Sequence, residues 1–156
     1  MSVTISLAQE PASLDHIRRL FREYADWLGA DICFTTLDRE LAELPGEYAP
    51  PDGRLYLAST QDQGIVGCIA LRRLDYTTGE LKRLYVRPNG RGHGIGRKLT
   101  ETVITQARLI GYYSIRLDTL PTLREAIHLY ESFGFRQIEP PHDAPLVGEV
   151  YYQLTL

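Results

Sequence analysis

Apolar and polar residues alternate at the start of the chain and then change to a helical spacing. The alternation over Val3–Leu7 predicts a first strand. Between residues 17 and 28, apolar side chains recur every three or four positions, which predicts an amphipathic helix. Ser13 suits the N-cap of that helix because its hydroxyl can accept from an unpaired backbone amide. Gly29 suits its end, because glycine tolerates a left-handed turn.

The rest of the chain switches between these two patterns, with glycine and proline turns between the segments. The predicted elements are a helix at Leu37–Leu44, strands at Arg54–Ser59, Ile65–Leu74 and Glu80–Val86, a long helix from about Gly94 to Ile110, a strand at Ser114–Thr119, a helix at Leu123–Phe133, and strands at Phe135–Ile138 and Glu149–Leu156. No internal repeat, low-complexity segment or linker interrupts this order. The sequence therefore predicts one α+β domain over residues 1–156, with a mixed sheet.

The composition predicts a globular protein that folds without covalent cross-links. Hydrophobic residues make up 44% and charged residues 24% of the 156. Cys33 and Cys68 have no metal-ligand spacing and lie among apolar neighbours, so we expect buried free thiols and no metal site. The N-terminus lacks a basic segment followed by an apolar run, and no window approaches the roughly 18 apolar residues of a membrane span. We therefore expect a cytoplasmic protein without a membrane partner.

Charge is distributed unevenly along the chain. Residues 1–62 carry five basic and eleven acidic side chains, whereas residues 71–98 carry eight basic and two acidic ones. One interpretation is a solvated strand pair with scattered counter-charges, and the other is a local anion site. The overall net charge of −3 and the absence of interleaved aromatic residues in the basic loop argue against nucleic acid as the partner. A short basic patch beside glycines favours a compact phosphorylated ligand.

The glycine-rich segment Arg91-Gly92-His93-Gly94-Ile95-Gly96 joins a strand to the long helix. A helix N-terminus has unpaired amides and partial positive charge, and glycines let a pyrophosphate approach the backbone. A P-loop is excluded, because Arg97 stands where that motif needs lysine. The dinucleotide fingerprint fails in both possible registers. The remaining pattern is Arg-x-x-Gly-x-Gly directly after a strand.

That pattern follows the strand Glu-Leu-Lys-Arg-Leu-Tyr-Val, and Ala126-Ile127-x-Leu129-Tyr130-x-x-x-Gly134-Phe135 lies downstream. Together these motifs resemble the GNAT superfamily of N-acetyltransferases. The resemblance covers most of the chain and is densest over residues 80–99 and 126–135. It implies a mostly antiparallel mixed sheet flanked by helices. It also implies acetyl-CoA as co-substrate, a small-molecule or peptide amine as acceptor, and, as in many members, a possible homodimer.

The resemblance further implies where acetyl-CoA lies. In this family the pyrophosphate rests on the amides of the glycine loop, and the pantetheine arm pairs with the preceding strand like an additional strand. A backbone N–H near Val86 would then donate to the acyl carbonyl and stabilise the developing oxyanion. The implied cofactor-binding residues are Leu84, Tyr85, Val86, Arg91, Gly92, His93, Gly94, Ile95, Gly96 and Arg97.

Two residues are implied in proton transfer. Tyr130 matches the family's general acid for the leaving thiolate, and the alternative is core packing on the face that it shares with Ala126 and Ile127. Glu80 is the candidate base, positioned to deprotonate the amine through water. The alternative for Glu80 is an ion pair with an arginine or lysine of an adjacent strand.

The acceptor site of this family is built mainly from the first two helices and their loops. This region of the chain is acidic, with Asp26, Asp31, Asp38, Glu40, Glu43 and Glu47. An acidic rim would favour a cationic amine, and the alternative is an ordinary solvated helix face. A non-catalytic acyl-CoA-binding module is the competing class of function, because a fold does not fix an activity.

Overall fold

A computed structural model of the chain describes residues 2–29, 37–144 and 148–156. These residues form seven strands and four α-helices, together with short 3-10 turns at Gly46–Tyr48 and Pro88–Gly90. The strands are β1 (Val3–Leu7), β2 (Arg54–Thr60), β3 (Gly64–Arg73), β4 (Thr78–Val86), β5 (Ser114–Thr119), β6 (Arg136–Ile138) and β7 (Val150–Thr155). The helices are α1 (Pro11–Leu28), α2 (Leu37–Glu43), α3 (Ile95–Ile110) and α4 (Arg124–Ser132).

The strands form one sheet in the order β1-β2-β3-β4-β5-β7-β6. Every neighbouring pair is antiparallel except β4 and β5, which run parallel. That parallel pairing is short, since only Thr78–Glu80 of β4 registers with Ser114–Arg116 of β5. The predicted fold class, an α+β domain with a mixed and mostly antiparallel central sheet, is confirmed.

Helices cover the two faces of this sheet. One core packs α3 and α4 against the sheet around residues such as Leu99 and Leu117, which are almost fully buried. The other packs α1 and α2 around Ile17, Phe21 and Leu57. Burying one such side chain stabilises the fold by about 1.5–3 kcal/mol. The sheet is therefore packed on both faces, and this packing fixes the positions of β4 and β5.

The start of α1 differs from its prediction, and its end agrees with it. The expectation that Ser13 caps this helix is wrong, because α1 begins at Pro11 after Glu10, whose side chain makes no capping bond. A proline in the first turn already has the helical φ and lacks an amide that would need a partner. At the other end, Gly29 has φ 101° and donates its amide to Ala25 at 3.1 Å.

A bulge in β4 directs this strand towards the site. The register of β4 against β3 shifts between Cys68 and Ala70, so β4 holds one extra residue there. Arg83 lies in the bulge with φ 61°, a left-handed conformation that costs an ordinary residue about 1–2 kcal/mol. Bulges bend a strand and redirect its side chains. Beyond the parallel pairing, the edge of Leu81–Val86 that faces β5 is unpaired within the described chain.

Ion pairs join the acidic N-terminal part of the chain to the basic strand segment. They link Arg72 to Glu47, Arg73 to Asp52, Arg83 to Glu40 and Arg87 to Glu23. Among the described residues, the remaining four cations of that segment pair with no carboxylate; they are Lys82, Arg91, Arg97 and Lys98. The positive charge left for a ligand is therefore concentrated at the bulge and at the glycine loop.

The prediction of a buried thiol is confirmed for Cys68, whereas Cys33 lies outside the described residues. The Cys68 thiol is fully buried and donates to the Arg83 carbonyl at 3.3 Å, and burial raises its pKa well above the usual range. In the described part of the chain, no cluster of histidine, cysteine and acidic side chains has an arrangement for a metal ion. None of the helices described has the length and apolar character to cross a membrane.

Candidate active site

A cleft of about 720 Å³ opens where β4 and β5 separate. One wall is the unpaired end of β4, and the glycine loop at residues 90–97 lies beside it. The end of β5 and the helix α4 form the opposite wall, and the C-terminal turns of α1 border the cleft. Such a volume accommodates a cofactor-sized ligand.

The glycine loop presents unpaired amides at this cleft. In the described part of the chain, the amides of residues 92–97 donate to no backbone carbonyl, and Lys98 makes the first bond of α3, to Gly94 at 3.1 Å. Gly92 and Gly94 have φ values of 84° and 74°, which glycine adopts without a steric cost. The helix N-terminus adds partial positive charge. The loop is therefore suited to a phosphate or pyrophosphate group.

Two arginines add full charges to the loop. Arg91 donates from Nε to the Val86 carbonyl at 2.9 Å, and its guanidinium lies 5.0 Å from the centre of the Trp27 ring. Arg97 donates to the Ser132 hydroxyl at 2.8 Å and lies at one end of the same loop. Both side chains are exposed and neither is engaged by a described carboxylate, so both are available to an anionic ligand.

The structure brings almost all the predicted cofactor-binding residues together. Leu84, Tyr85 and Val86 line the cleft from β4, and the loop residues predicted from the sequence line it too, with the exception of His93. His93 is exposed and lies away from the cleft lining, although its amide belongs to the unpaired set. The two segments implied by the resemblance thus face one space.

The sequence prediction missed an aromatic border contributed by α1. Tyr24 and Trp27 line the cleft, and their rings lie 5.7 Å and 6.1 Å from that of Tyr85. Trp27 is 51% exposed, which is unusual for so large an apolar side chain. In the sequence, Tyr24 belongs to the apolar residues at helical spacing that predict a core-facing side of α1, and Trp27 belongs to no motif. Neither residue could therefore be predicted as part of the site.

Tyr130 combines core packing with access to the cleft. Its side chain is buried, its ring centre lies 5.7 Å from that of Phe135, and it lines the cleft from α4. Its hydroxyl makes no hydrogen bond to a described residue. Burial raises the pKa of Tyr130 above its usual value, and Tyr24 and Asp118 raise it further. The hydroxyl therefore keeps its proton at neutral pH and can act as a donor.

Glu80 has the ion pair that the sequence left open as its alternative role. Its Oε1 lies 2.7 Å from Nε of Arg72, which also contacts Glu47 at 2.6 Å. Arg72 and Glu80 are registered across β3 and β4. Glu80 is not among the described residues that line the cleft. These contacts favour a structural role for its carboxylate.

Two further carboxyl groups line the cleft and were missed. They belong to Asp118, near the end of β5, and to Glu149, directly before β7. Asp118 registers with Tyr151, two positions from Glu149, so the two carboxyl groups lie on one face of the sheet. They are 31 positions apart in the chain, and only the β5–β7 register brings them together. No spacing in the sequence signals this pair.

The electrostatic surroundings keep Asp118 ionised. Burial raises the pKa of Asp118, but a hydrogen bond from Glu149 and the charges of Lys82 and Arg83 hold it below the usual value. Glu149 itself is 6% exposed. The cleft therefore holds a carboxyl pair, with Glu149 buried and Asp118 half-buried, opposite the unpaired part of β4.

The acidic residues near the first two helices do not form a rim around this cleft. Four of them are engaged in ion pairs, and none of those described lines the cleft; the pairs are Asp38 with Arg22, Glu40 with Arg83, Glu43 with Arg39 and Glu47 with Arg72. Asp31 lies outside the described residues. These contacts favour the ordinary helix face over the acidic pocket.

Comparison with known proteins places the chain in a family. The profile of the acetyltransferase (GNAT) family matches residues 14–135. An uncharacterized N-acetyltransferase of Schizosaccharomyces pombe is 37% identical over 156 residues, which cover 99% of this chain and 96% of that protein.

Solved structures share the fold. A GNAT acetyltransferase of Staphylococcus aureus superposes with a TM-score of 0.82 at 24% identity, with 99% of each chain covered. The PaiA N-acetyltransferase of Thermoplasma acidophilum, in complex with coenzyme A, superposes with a TM-score of 0.78 at 19% identity over 100% of both chains. By its profile match and by a relative similar over its whole length, the chain belongs to the acetyltransferase (GNAT) family of acetyl-CoA-dependent N-acyltransferases.

Proposed function

We propose that this protein transfers the acetyl group of acetyl-CoA to a primary amine of a small molecule or peptide, by direct attack of the amine on the thioester. The observation that carries the proposal is the meeting of three features in one cleft. These are the unpaired amides and free cations of the glycine loop, the unpaired edge of β4, and the hydroxyl of Tyr130.

The glycine loop is the proposed pyrophosphate site. The amides of residues 92–97 have no backbone acceptor among the described residues, so an anion can use them without breaking an existing bond. Arg91 and Arg97 flank these amides and supply charge-assisted bonds. A proposed ligand with two phosphates suits this combination better than a single carboxylate.

The end of β4 is the proposed position of the pantetheine arm and the thioester. Tyr85 and Val86 pair with β3 on one side only, directly after the bulge that holds Leu84, so the other edge of this segment can pair with an extended ligand. A backbone N–H near Val86 is the proposed donor to the thioester carbonyl oxygen. Such a donor stabilises the negative charge that develops on that oxygen during attack.

Tyr130 is the proposed proton donor to the leaving thiolate. Its raised pKa keeps the hydroxyl protonated at neutral pH, which is the state that a donor needs. The hydroxyl has no competing partner among the described residues. When the C–S bond breaks, the phenolic proton passes to sulfur, and the phenolate then recovers a proton from the nitrogen that has formed the amide.

The test is amine-dependent release of free thiol from acetyl-CoA. The acceptors are spermidine, a short peptide with a free α-amine, and Nα-acetyl-lysine amide, each against a blank without amine. The proposal expects thiol release that requires an amine and that saturates with acetyl-CoA. Binding of acetyl-CoA without thiol release for every acceptor would instead favour the non-catalytic acyl-CoA-binding module.

A further inference from the structure

The carboxyl groups of Asp118 and Glu149 lie in the cleft, and the acetyl transfer proposed above needs a group to receive the acceptor's proton. A primary amine is mostly protonated at neutral pH, and only its neutral form attacks a thioester. Glu80, the candidate from the sequence, is held by Arg72 outside the cleft lining. The proton acceptor must therefore be found among the groups that face the ligand.

We propose that Asp118 and Glu149 together hold the acceptor ammonium and take its proton before the attack. This assignment rests on the proposed acetyl transfer and deepens it. Both carboxyl groups line the cleft, and the register of β5 and β7 puts them on one face. Glu149 is buried and Asp118 half-buried, and a positively charged amine suits such a pair because it compensates negative charge that burial otherwise makes costly.

A second observation, independent of the pair, indicates that a ligand occupies this space. Tyr130 is buried, with only 6% of its surface exposed, and it lines the same cleft from α4. Its hydroxyl has no hydrogen-bond partner among the described residues. Because the hydroxyl is not among the fully buried atoms that lack a partner, it opens to the cleft, where a ligand or water can supply one. Asp118 and Tyr130 are close enough for the carboxylate to raise the hydroxyl's pKa.

The separation of β4 from β5 gives the pair its access to the thioester. The last registered residues of the two strands are Glu80 and Arg116. Lys82 and Asp118 each lie two positions further along, where the strands have begun to diverge. Asp118 therefore lies opposite the β4 segment that leads to Val86, with the cleft between them.

The charged groups that face Asp118 define how the pair titrates. They are Lys82 and Arg83 of β4, Glu149 before β7, and the hydroxyl of Tyr130 on α4. Two carboxyl groups in hydrogen-bond contact share one proton readily, and they resist losing it because the second charge is repelled by the first. The proton acceptor is therefore the doubly ionised pair, and its base strength is set by this repulsion against the opposing positive charges of Lys82 and Arg83.

In the proposed reaction the acceptor nitrogen loses two protons, one to the carboxyl pair and one to Tyr130. The ammonium transfers one proton to the doubly ionised pair, which leaves a neutral amine and a singly protonated pair. The amine nitrogen forms its bond to the acyl carbon, the C–S bond breaks, and Tyr130 protonates the sulfur. The amide nitrogen loses its second proton, which restores Tyr130. The pair then returns its proton to solvent, so each transfer releases one proton.

The test compares Asp118→Asn with Asp52→Asn, and Glu149→Gln with Glu47→Gln. Asp52 and Glu47 are exposed partners of arginines outside the cleft lining. Each variant is assayed for thiol release across pH with the three amines above, and for acetyl-CoA binding through the fluorescence of Trp27. For Asp118→Asn we expect a fall in kcat/KM of about a hundredfold or more at neutral pH and unchanged acetyl-CoA binding. The acid limb of the profile, which is the fall in kcat/KM towards low pH, should move up to the pKa of the acceptor amine itself. The controls are expected to match the wild type.

The size of the defect should depend on the acceptor. An α-amine has a pKa of about 8 and a lysine ε-amine one of about 10.4. Because solvent deprotonates the α-amine at lower pH, Asp118→Asn should approach the wild type at a lower pH with the peptide than with Nα-acetyl-lysine amide. A purely structural defect would reduce both acceptors equally at every pH.

If asparagine at position 118 unfolds the chain, Glu149→Gln carries the test. In this variant Asp118 is the only carboxyl group of the pair that remains, so the acid limb of kcat/KM should reflect a single ionisation and lie at lower pH. An unchanged acid limb would overturn the assignment. An acid limb of Asp118→Asn at the same pH as in the wild type, or a defect that is independent of pH and acceptor, would overturn it as well. No transfer by the wild-type protein would remove the proposed function itself, and with it this role. Transfer that is unaffected in both variants removes only the role of the pair.

Discussion

Arg72 donates from Nε to Oε1 of Glu80 across 2.7 Å, and this pair ties β3 to β4 at the end of the parallel pairing with β5. The Glu80 side chain is only 10% exposed. The carboxylate is already engaged by Arg72 and lies outside the cleft lining. We therefore expect it to stabilise the sheet at the point where β4 and β5 begin to separate.

Replacing Glu80 by glutamine is expected to weaken the fold without removing the base. Glutamine keeps an acceptor for Arg72 but loses the charge, which should lower the free energy of unfolding by about 1–2 kcal/mol. The pH dependence of kcat/KM should keep its acid limb. Urea unfolding and a pH–rate series measure the two effects. A stable variant whose acid limb moves up to the pKa of the acceptor amine would return the base role to Glu80.

Tyr130→Phe is expected to lower kcat by about a hundredfold, while the KM for acetyl-CoA changes little. The substitution removes the proton for the leaving thiolate but keeps the ring that packs near Phe135. Steady-state kinetics with acetyl-CoA and one saturating amine measures the split. Tyr152→Phe is the matched control, since Tyr152 is equally buried in the same core and lies outside the cleft lining. Equal kcat values in the two variants would contradict the donor role.

Trp27 provides an intrinsic signal for cofactor binding, because it is the single tryptophan and the Arg91 guanidinium lies 5.0 Å from its ring. When Arg91 moves to the pyrophosphate, the fluorescence of Trp27 should change. Arg91→Ala should alter the emission of the free protein and weaken CoA binding about tenfold, which corresponds to the loss of one charge-assisted bond.

Arg97→Ala is the comparison for that measurement. Arg97 stacks near Phe133 at 4.8 Å and not near Trp27. This variant should weaken CoA binding to a similar degree and leave the emission of the free protein unchanged. If neither arginine affects CoA affinity, the glycine loop is not the pyrophosphate site.

Gly90→Ala is expected to destabilise the protein, because the added Cβ would lie 2.9 Å from Cβ of Val66. Overpacking of this kind costs about 1–3 kcal/mol, and it should also displace the adjoining loop and weaken CoA binding. Gly64→Ala is the control in the β2–β3 turn, where φ is 70° but the space is open. It should cost only backbone strain and leave CoA affinity unchanged. Thermal unfolding and fluorescence titration distinguish the two.

Lys82→Met is expected to move the acid limb of kcat/KM to higher pH. The positive charge of Lys82 lowers the pKa of Asp118, so its removal raises the pKa at which the carboxyl pair loses its protons. A higher pKa means that a higher pH is needed to produce the ionised base. A pH–rate series on the variant measures the shift. A limb displaced towards lower pH would contradict the assignment of the limb to the pair.

The sequence predicted most of the fold because its local signals agree with the final packing. Val3–Leu7 and Ser114–Thr119 alternate regularly and end at turn residues, and their predicted bounds match β1 and β5. Ser13 failed as a cap because Pro11 allows an earlier start that no side-chain bond is needed to stabilise. A helix boundary can be predicted from local sequence only when a single residue is suited to start or end the helix.

The site was predictable only where its residues are contiguous. The glycine loop and the end of β4 form one continuous segment, and the motif that contains Tyr130 has a fixed spacing. Trp27, Asp118 and Glu149 come from three separate elements that meet through the bulge in β4 and the β5–β7 register. Neither feature has a signature in the one-dimensional pattern.

The most direct measurement follows the acetyl group itself. Wild-type protein is incubated with acetyl-CoA that carries an isotopic label in the acetyl group and with an accepted amine, and all products are weighed by mass spectrometry. Direct transfer predicts that each free thiol is matched by one labelled acetylated amine, and that no label appears on the protein. Thiol release without acetylated amine, or label bound to the chain as an intermediate, would contradict direct transfer in this cleft.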